Sequence, residues 1–213
     1  MRSGYRCRVG TTGDSGQYFT ASPDVASAPQ TVELVLPDLF LTLTTDRGVF
    51  SGSRIDAGTR FLLRDHPSIG TDVANILDLG CGYGPIALAS ARRAPQARIW
   101  GVDVNDRAID LARANAASAS VENVWFGRPE EVPADLRFDL LLSNPPIRIG
   151  KTALHELLTT WLDRLAPSGR ACMVVQKHLG SDSLAAWLTA HGWETRRLAS
   201  RAGYRLLETK ARP

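Results

Sequence analysis

Between Thr31 and Leu43 the apolar residues fall on alternate positions. Val32, Leu34 and Leu36 precede a Pro37-Asp38 step, and Leu39, Leu41 and Leu43 follow it. Alternate side chains of a strand face the same side, so period two broken by a Pro-Asp turn predicts a β-hairpin. Asp46-Arg47-Gly48 reads as a second turn that returns a short strand at Val49-Phe50. From about residue 55 the pattern changes to short apolar runs separated by helical periodicity. A leading helix is predicted over 55–65, carrying Phe61, Leu62 and Leu63. Strands are predicted over 75–79, 97–102, 121–126, 138–143 and 171–176, with 194–198 and 204–208 closing the sheet. Helices fall between them over 85–93, 106–116, 151–166 and 183–191. In the third of these, Leu154, Leu157, Leu158, Trp161, Leu162 and Leu165 keep the three-to-four spacing of one buried face.

Strands alternating with helices of these lengths predict a mostly parallel, seven-stranded α/β sheet covered on both faces. The hairpin is too small to stand alone and is expected to pack on that sheet as an extension. The domain reading is therefore a disordered leader over 1–16, equally a misassigned start, then a hairpin extension over 17–54 and the main domain over 55–213.

Composition narrows the class. The 213 residues are 44% hydrophobic and 22% charged, ordinary globular usage that excludes a wholly disordered chain. No run approaches the ~20 apolar residues of a membrane helix, and MRSGYRCRVG lacks an apolar signal core, which predicts a cytoplasmic chain. Cys7, Cys81 and Cys172 are too scattered for a disulfide framework or a zinc site, and Cys81 is read as filling space rather than reacting. The net charge of +3 is carried mostly by arginine, and it permits an RNA partner without demonstrating one.

The chemistry is concentrated in two stretches. Ile76-Leu77-Asp78-Leu79-Gly80-Cys81-Gly82-Tyr83-Gly84 runs a strand into glycines ahead of a helix, the arrangement that lets backbone approach a nucleotide at a strand's carboxyl end. The spacing is not the G-x-G-x-x-G of a dinucleotide site, and Asp78 would repel a pyrophosphate while suiting a positively charged ligand group. Asp103 ends the next strand, where a carboxylate can accept both hydroxyls of a ribose. The plainer alternative is a glycine turn of an unrelated α/β fold, with Asp103 capping the following helix. Two acids in register on successive strands favour the ligand site.

The second stretch is Leu142-Ser143-Asn144-Pro145-Pro146. Pro145 and Pro146 restrict Asn144 and Pro145 to extended backbone, fixing the Asn side chain and the Pro145 carbonyl together. Two acceptor oxygens aimed at one place can hold a planar amino group and turn its nitrogen toward a methyl donor without a strong base.

Together these stretches resemble class I S-adenosylmethionine-dependent methyltransferases, whose fold is a Rossmann-like doubly wound sheet. Gln17-Tyr18-Phe19-Thr20, the hairpin, Thr45 to Ser51 and Asp56-Ala57-Gly58-Thr59 come in the order of one group within them. That group is the small methyltransferase-domain family of rRNA guanine-N2 methyltransferases, the small-subunit methyltransferase C group. The resemblance implies S-adenosylmethionine as cofactor and an exocyclic guanine amine of ribosomal RNA, free or in the ribosomal subunit, as acceptor. It implies that Asp78, Gly80, Gly82, Gly84, Asp103 and Asn144 serve the cofactor, that Asn144, Pro145 and Pro146 hold the amine, and that no metal takes part. The same chemistry on a protein glutamine, an adenine or a small amine is the alternative. A non-catalytic RNA-binding module is the alternative of another class.

Three positions depart from the family pattern. Ile147 stands where many relatives have an aromatic residue after Asn-Pro-Pro, so a flipped base would need another stacking partner, Phe50 or Phe19. Gly127-Arg128-Pro129-Glu130-Glu131 replaces a Ser-Asp pair for the adenine amine, with Glu130 or Glu131 as substitutes. The chain is also a single unit where the best-known bacterial members are tandem duplications. Arg148 and Lys151 read either as phosphate contacts or as a solvated helix start, and Arg196, Arg197, Arg201 and Arg205 as a phosphate patch or a soluble edge. His155-Glu156 has no second histidine for a metal. Trp161 and Trp187 are expected in the core.

Overall fold

The computed structural model describes residues 25–212. The 1–16 leader, the Gln17 to Thr20 motif and Phe19 lie outside those residues. Strands β1 (Gln30–Val35) and β2 (Phe40–Thr45) pair antiparallel, with Val32 opposite Leu43 and Leu34 opposite Leu41. The seven strands β3 (Asn75–Leu79), β4 (Arg98–Val102), β5 (Val124–Gly127), β6 (Phe138–Ser143), β7 (Leu165–Gln176), β8 (Thr195–Arg201) and β9 (Tyr204–Lys210) form a second sheet. Its order is β5-β4-β3-β6-β7-β9-β8, parallel except where β9 runs against β7 and β8. The chain starts in the middle, builds outward to β5, then returns to place β6 beside β3. That reversal opens a crevice at the carboxyl ends of β3 and β6, the place where doubly wound sheets bind ligands.

Both faces are covered, as the near-continuous apolar strands predict. Alternate residues of β3 divide between two cores: Ile76 joins one and Leu77 and Leu79 the other. Helices α1 (Ala57–Asp65), α2 (Pro85–Arg93) and α3 (Asp106–Ser118) pack Leu62, Leu88 and Ile109 on the first face, and the hairpin adds Leu34 and Leu43. Helices α4 (Lys151–Leu162) and α5 (Ser181–Ala190) pack Leu158, Trp161 and Leu188 on the second. Trp187 is only half-buried and stacks on His155 at 3.7 Å between centroids, so of the two tryptophans expected inside only Trp161 is core.

Some boundaries move for physical reasons. No strand forms at Val49-Phe50, because side chains fix that segment. The Asp46 carboxylate accepts from Ser27 Oγ and from the N–H groups of Ala28 and Arg47, and the Gly48 carbonyl accepts from Asn105 Nδ2. Helix α1 starts after Asp56, whose carboxylate caps it by accepting from Thr59 N at 3.0 Å. Helix α4 ends at Leu162, and Leu165 opens β7 opposite Phe138, with an irregularity in register before Leu140.

The hairpin's outer edge is closed by one side chain. Asn115 of α3, 2% exposed, accepts from Thr44 N at 2.7 Å and donates to Thr44 O at 2.8 Å and to Tyr83 O at 2.9 Å. Its amide stands in for a strand along β2 and ties that strand to the loop after β3. Asn115→Ala removes the partner of three backbone groups, and it should lower unfolding free energy by about 2–3 kcal/mol. Urea denaturation checks this: a lower midpoint at unchanged slope is expected, and an unchanged midpoint would contradict the bracing role.

Candidate active site

The loop after β3 is built on left-handed backbone. Gly80, Gly82 and Gly84 have φ of 75°, 54° and 95°, a region glycine enters without a Cβ penalty. A Cβ at Gly80 or Gly82 would meet nothing within 4 Å, so these two glycines are required by the turn and leave open space above it. Gly84 differs: it is the N-cap of α2, and a Cβ there would press Phe126 and Ala112 at 3.2 and 3.3 Å. The loop is anchored below by Gly80 N and Cys81 N, which both donate to Val102 O at 2.9 Å.

Two carboxylates lie beneath this turn. Asp78, fully buried, accepts from Ala87 N at 2.9 Å through Oδ2, while Oδ1 has no partner. Burial, opposed by the Ala87 hydrogen bond and helped by nearby Asp103, pushes its pKa up to about 8. Asp103 accepts from Gly82 N at 2.9 Å and from Asn105 N at 3.0 Å, one bond to each oxygen, and burial raises its pKa as well. Helix α3 is capped by Asn105, whose Oδ1 accepts from Ala108 N, so Asp103 is left to hold the turn. Each of its oxygens keeps a second lone pair. The Cys81 thiol between them is buried, and burial together with Asp103 and Asp78 drives its pKa well up, which leaves it unreactive.

Asn144, at the end of the neighbouring β6, faces the glycine turn across the cleft. Ser143 secures the strand end by donating to Leu79 O at 2.7 Å. The Asn144 amide nitrogen donates to Asp56 Oδ2 at 2.9 Å and to Thr59 Oγ1 at 3.1 Å. An ionised carboxylate only accepts, so the NH2 end is fixed toward α1 and Oδ1 is turned away from it. Pro146 has φ −75° and ψ 70°, an inverse γ-turn in which the Pro145 carbonyl accepts from Ile147 N at 2.8 Å. One lone pair of that carbonyl remains for a ligand.

The cleft between the glycine turn and Asn144 is lined by Gly80, Gly82, Asn144, Asp56, Thr59 and Phe50, among others. Asp78 and Asp103 support its floor from below, and Gly84 starts the helix behind it. Phe50, 46% exposed and one of the two residues expected to stack on a base, lines this cleft. Glu131 instead caps its own turn by accepting from Arg128 N at 2.7 Å, and Arg128 pairs with Asp106. Sequence reasoning gave no role to Asp56 and Thr59 as partners of Asn144. The signal was present as the Asp-x-x-Thr capping pattern, but a cap predicts a helix start and not a contact 88 positions away in sequence.

The Asp78 shift makes stability depend on pH. A carboxyl raised in the folded state holds its proton more tightly than in the unfolded chain. Its contribution is full below the ordinary value of 3.8 and is lost as pH rises toward about 8. The urea midpoint should therefore fall between about pH 5 and about pH 8, and fall less in Asp78→Asn, which keeps shape and an acceptor for Ala87. Parallel pH profiles for the two proteins would contradict the assignment.

Comparison with known proteins agrees with this geometry. Residues 40–208 match the profile of the methyltransferase small domain. An uncharacterized Bacillus subtilis protein, YbxB, is 33% identical over 201 residues, covering 92% of this chain and 98% of that one. The ribosomal RNA large subunit methyltransferase G of Shewanella amazonensis is 30% identical over 68% of this chain, and the small subunit methyltransferase C of Escherichia coli is 36% identical over 56%. The chain spans only 40% and 34% of those two enzymes. Among solved structures, the T. thermophilus 16S rRNA N2 G1207 methyltransferase in complex with AdoMet and guanosine superposes with a TM-score of 0.73 at 22% identity, covering 89% of this chain and 52% of that one. That likeness shows the same fold. With its glycine turn, its Asn-Pro-Pro turn and a profile match across most of its length, this chain belongs to the methyltransferase small-domain family.

Proposed function

We propose that this protein is an S-adenosylmethionine-dependent N-methyltransferase whose acceptor is the exocyclic N2 amine of a guanine in ribosomal RNA. The observation that carries the reading is the fixed orientation of Asn144. Its two amide hydrogens go to Asp56 and Thr59, which leaves Oδ1 as a free acceptor, and the next residue's carbonyl, Pro145 O, keeps one lone pair as well. Two acceptors suit a planar NH2 group and give no purchase on a hydroxyl or a thiol, which offers one hydrogen.

The residues present fit the cofactor. The open space over Gly80 and Gly82 admits close backbone approach, Asp103 has lone pairs for ribose hydroxyls, and Asp78 holds an orphan oxygen beneath the turn in a carboxyl that a positively charged ligand would draw toward its ionised form. S-adenosylmethionine, when bound, supplies an electrophilic methyl group on a positively charged sulfur. The chain's own residues do the positioning. Asn144 and Pro145 fix the amine plane, so that the nitrogen faces the donor instead of turning in solution. As the nitrogen gains its methyl group it also gains positive charge, which the two carbonyl oxygens face, and one proton then leaves to solvent. Phe50 at the cleft gives a base the stacking surface that Ile147 does not, a contact of about 1–3 kcal/mol.

The names of the relatives support the acceptor. Two are ribosomal RNA methyltransferases, and the superposing structure is an N2 G1207 enzyme holding guanosine. Among the described residues, no helix is long and apolar enough to cross a membrane.

Asn144→Ala should lower kcat by roughly 100-fold or more with cofactor affinity nearly unchanged, because only acceptor positioning is lost. Single-turnover kinetics alongside calorimetry checks this, and a parental rate at saturating substrate would remove the clamp. The acceptor is tested by mass spectrometry of rRNA nucleosides from cells with and without the gene. Loss of N2-methylguanosine is expected. An undiminished level, with methylation lost from adenine or from a protein glutamine, would transfer the reading to that acceptor.

A further inference from the structure

Among the described residues, the cations without a partner gather at one end of the sheet. At the amino ends of the parallel strands, every cation among the described residues is engaged. Arg64 pairs with Asp65, Arg93 with Asp38, Lys210 with Glu194 and Arg212 with Asp163. Arg92, Arg137, Arg164 and Arg170 donate to backbone carbonyls, and Arg98 lies 4.9 Å over Trp100.

At the carboxyl ends Arg107 and Arg128 are engaged beside β4 and β5 and Arg205 pairs with Asp182, but the remaining cations have no partner. Arg54 and Arg60 flank Asp56, the partner of Asn144, and both are exposed without a salt bridge or a side-chain hydrogen bond. Arg148 and Lys151 follow the Asn-Pro-Pro turn and are likewise exposed and unpaired. Lys177 follows β7, and its backbone N–H donates at 2.7 Å to the Gly203 carbonyl in the turn after Arg201. Tyr204 joins this corner to α1, since it accepts from Gln176 at 2.8 Å and its ring would meet a Cβ at Gly58 at 2.8 Å. Arg47 stands exposed and unpaired in the turn after the hairpin. Apart from Arg197 within β8 and Arg47, which borders Arg107 at the start of α3, the described cations lacking any protein partner all lie over β6, β7 and α1. Most acids of the same edge lie elsewhere: Asp103, Asp106, Glu130 and Glu131 follow β4 and β5, while on the basic side Asp56 is occupied by Thr59 and Asn144 and Asp182 by Arg205.

From this division we infer that the rim over β6, β7 and α1, carrying Arg54, Arg60, Arg148, Lys151, Lys177 and Arg201, is a docking surface for the phosphate backbone of RNA. Exposed side chains left without carboxylate partners keep their full charge for an incoming anion, whereas paired ones are neutralised locally. The spread of the cations around Asn144, rather than at one point, fits a polymer of phosphates and not a single anion. The acidic half, beside the glycine turn, repels the same polymer and leaves that half to a positively charged ligand. The inference rests on the reading of RNA as substrate and adds which face receives it.

The test uses the full chain, a labelled single-stranded RNA, and fluorescence anisotropy across a series of salt concentrations. Arg148→Ala, Lys177→Ala and Arg201→Ala are combined in one variant. Arg98→Ala, Arg137→Ala and Lys210→Ala make a control of the same net charge. Each phosphate contact on a single strand contributes about 0.7 to the slope of log K against log salt, so the rim variant should lose about 2 from that slope and at least about tenfold in affinity at low salt. The control should keep the parental slope. Equal losses in both variants, or no loss in the rim variant, would overturn the docking surface. A rim variant that loses binding to polyglutamate but not to RNA would overturn it in favour of an acidic protein partner. Loss of N2-methylguanosine in gene-deleted cells with an unchanged rim slope would keep the proposed reaction and discard this surface. A rim-specific slope without methylation of RNA would do the opposite.

Discussion

The Asp78 carboxylate sits at the centre of the sheet with one oxygen on the Ala87 N–H of α2 and the other without a partner. A buried carboxylate against the first turn of a helix locks strand to helix, because the N-terminal N–H groups there have no partner within the helix. The chain between them has to reverse within a few residues, which only the left-handed glycines permit. Everything else at the site is arranged around that turn. Asp103 holds it through Gly82, Val102 accepts its first two N–H groups, and Asn115 takes the Tyr83 carbonyl. The cost is a carboxyl raised in pKa by burial, which the fold carries at the place where a positively charged ligand would offset it.

The second requirement is that Asn144 arrive at the same edge in one orientation. Parallel pairing of β6 with β3 brings Ser143 opposite Leu79 and so sets Asn144 beside the glycine turn. Helix α1, which precedes the sheet in sequence, fixes the rotation through Asp56 and Thr59. The hairpin performs a related service for the upper wall. Its core residues pack on α2 and α3, and the side-chain bonds of Asp46 and Asn105 fix the turn that leads to Phe50. A small antiparallel extension thereby becomes part of the cleft, although its own sheet contains no site residue.

Much of this was legible in the sequence, for reasons that can be named. The period-two hairpin, the apolar strand cores and the Gly-x-Gly-x-Gly turn are local patterns whose physics is complete within a few residues, and their elements form close to the predicted places. What could not be read were contacts made by polar side chains across long separations: Asn144 on Asp56 and Thr59, Asn115 on Thr44, and Asn105 on Gly48. Those bonds have no periodic signature. The same is true of Val49-Phe50, whose apolar pair suggested a strand while side-chain bonds to neighbouring turns decided otherwise. Two roles for a group were also hard to separate from sequence. Pro145 offers its carbonyl, yet one lone pair is already taken by Ile147.

The central claim is that the glycine turn, braced by Asp78 and Asp103, binds S-adenosylmethionine. Calorimetric titration of the cofactor into the full chain and into a folded Asp103→Ala variant tests it most directly. The account predicts saturable one-to-one binding that weakens at least about tenfold in the variant, since hydrogen bonds to a charged acceptor contribute about 1.5–3 kcal/mol. Equal affinity in the two proteins, or no binding to the parent chain, would contradict it.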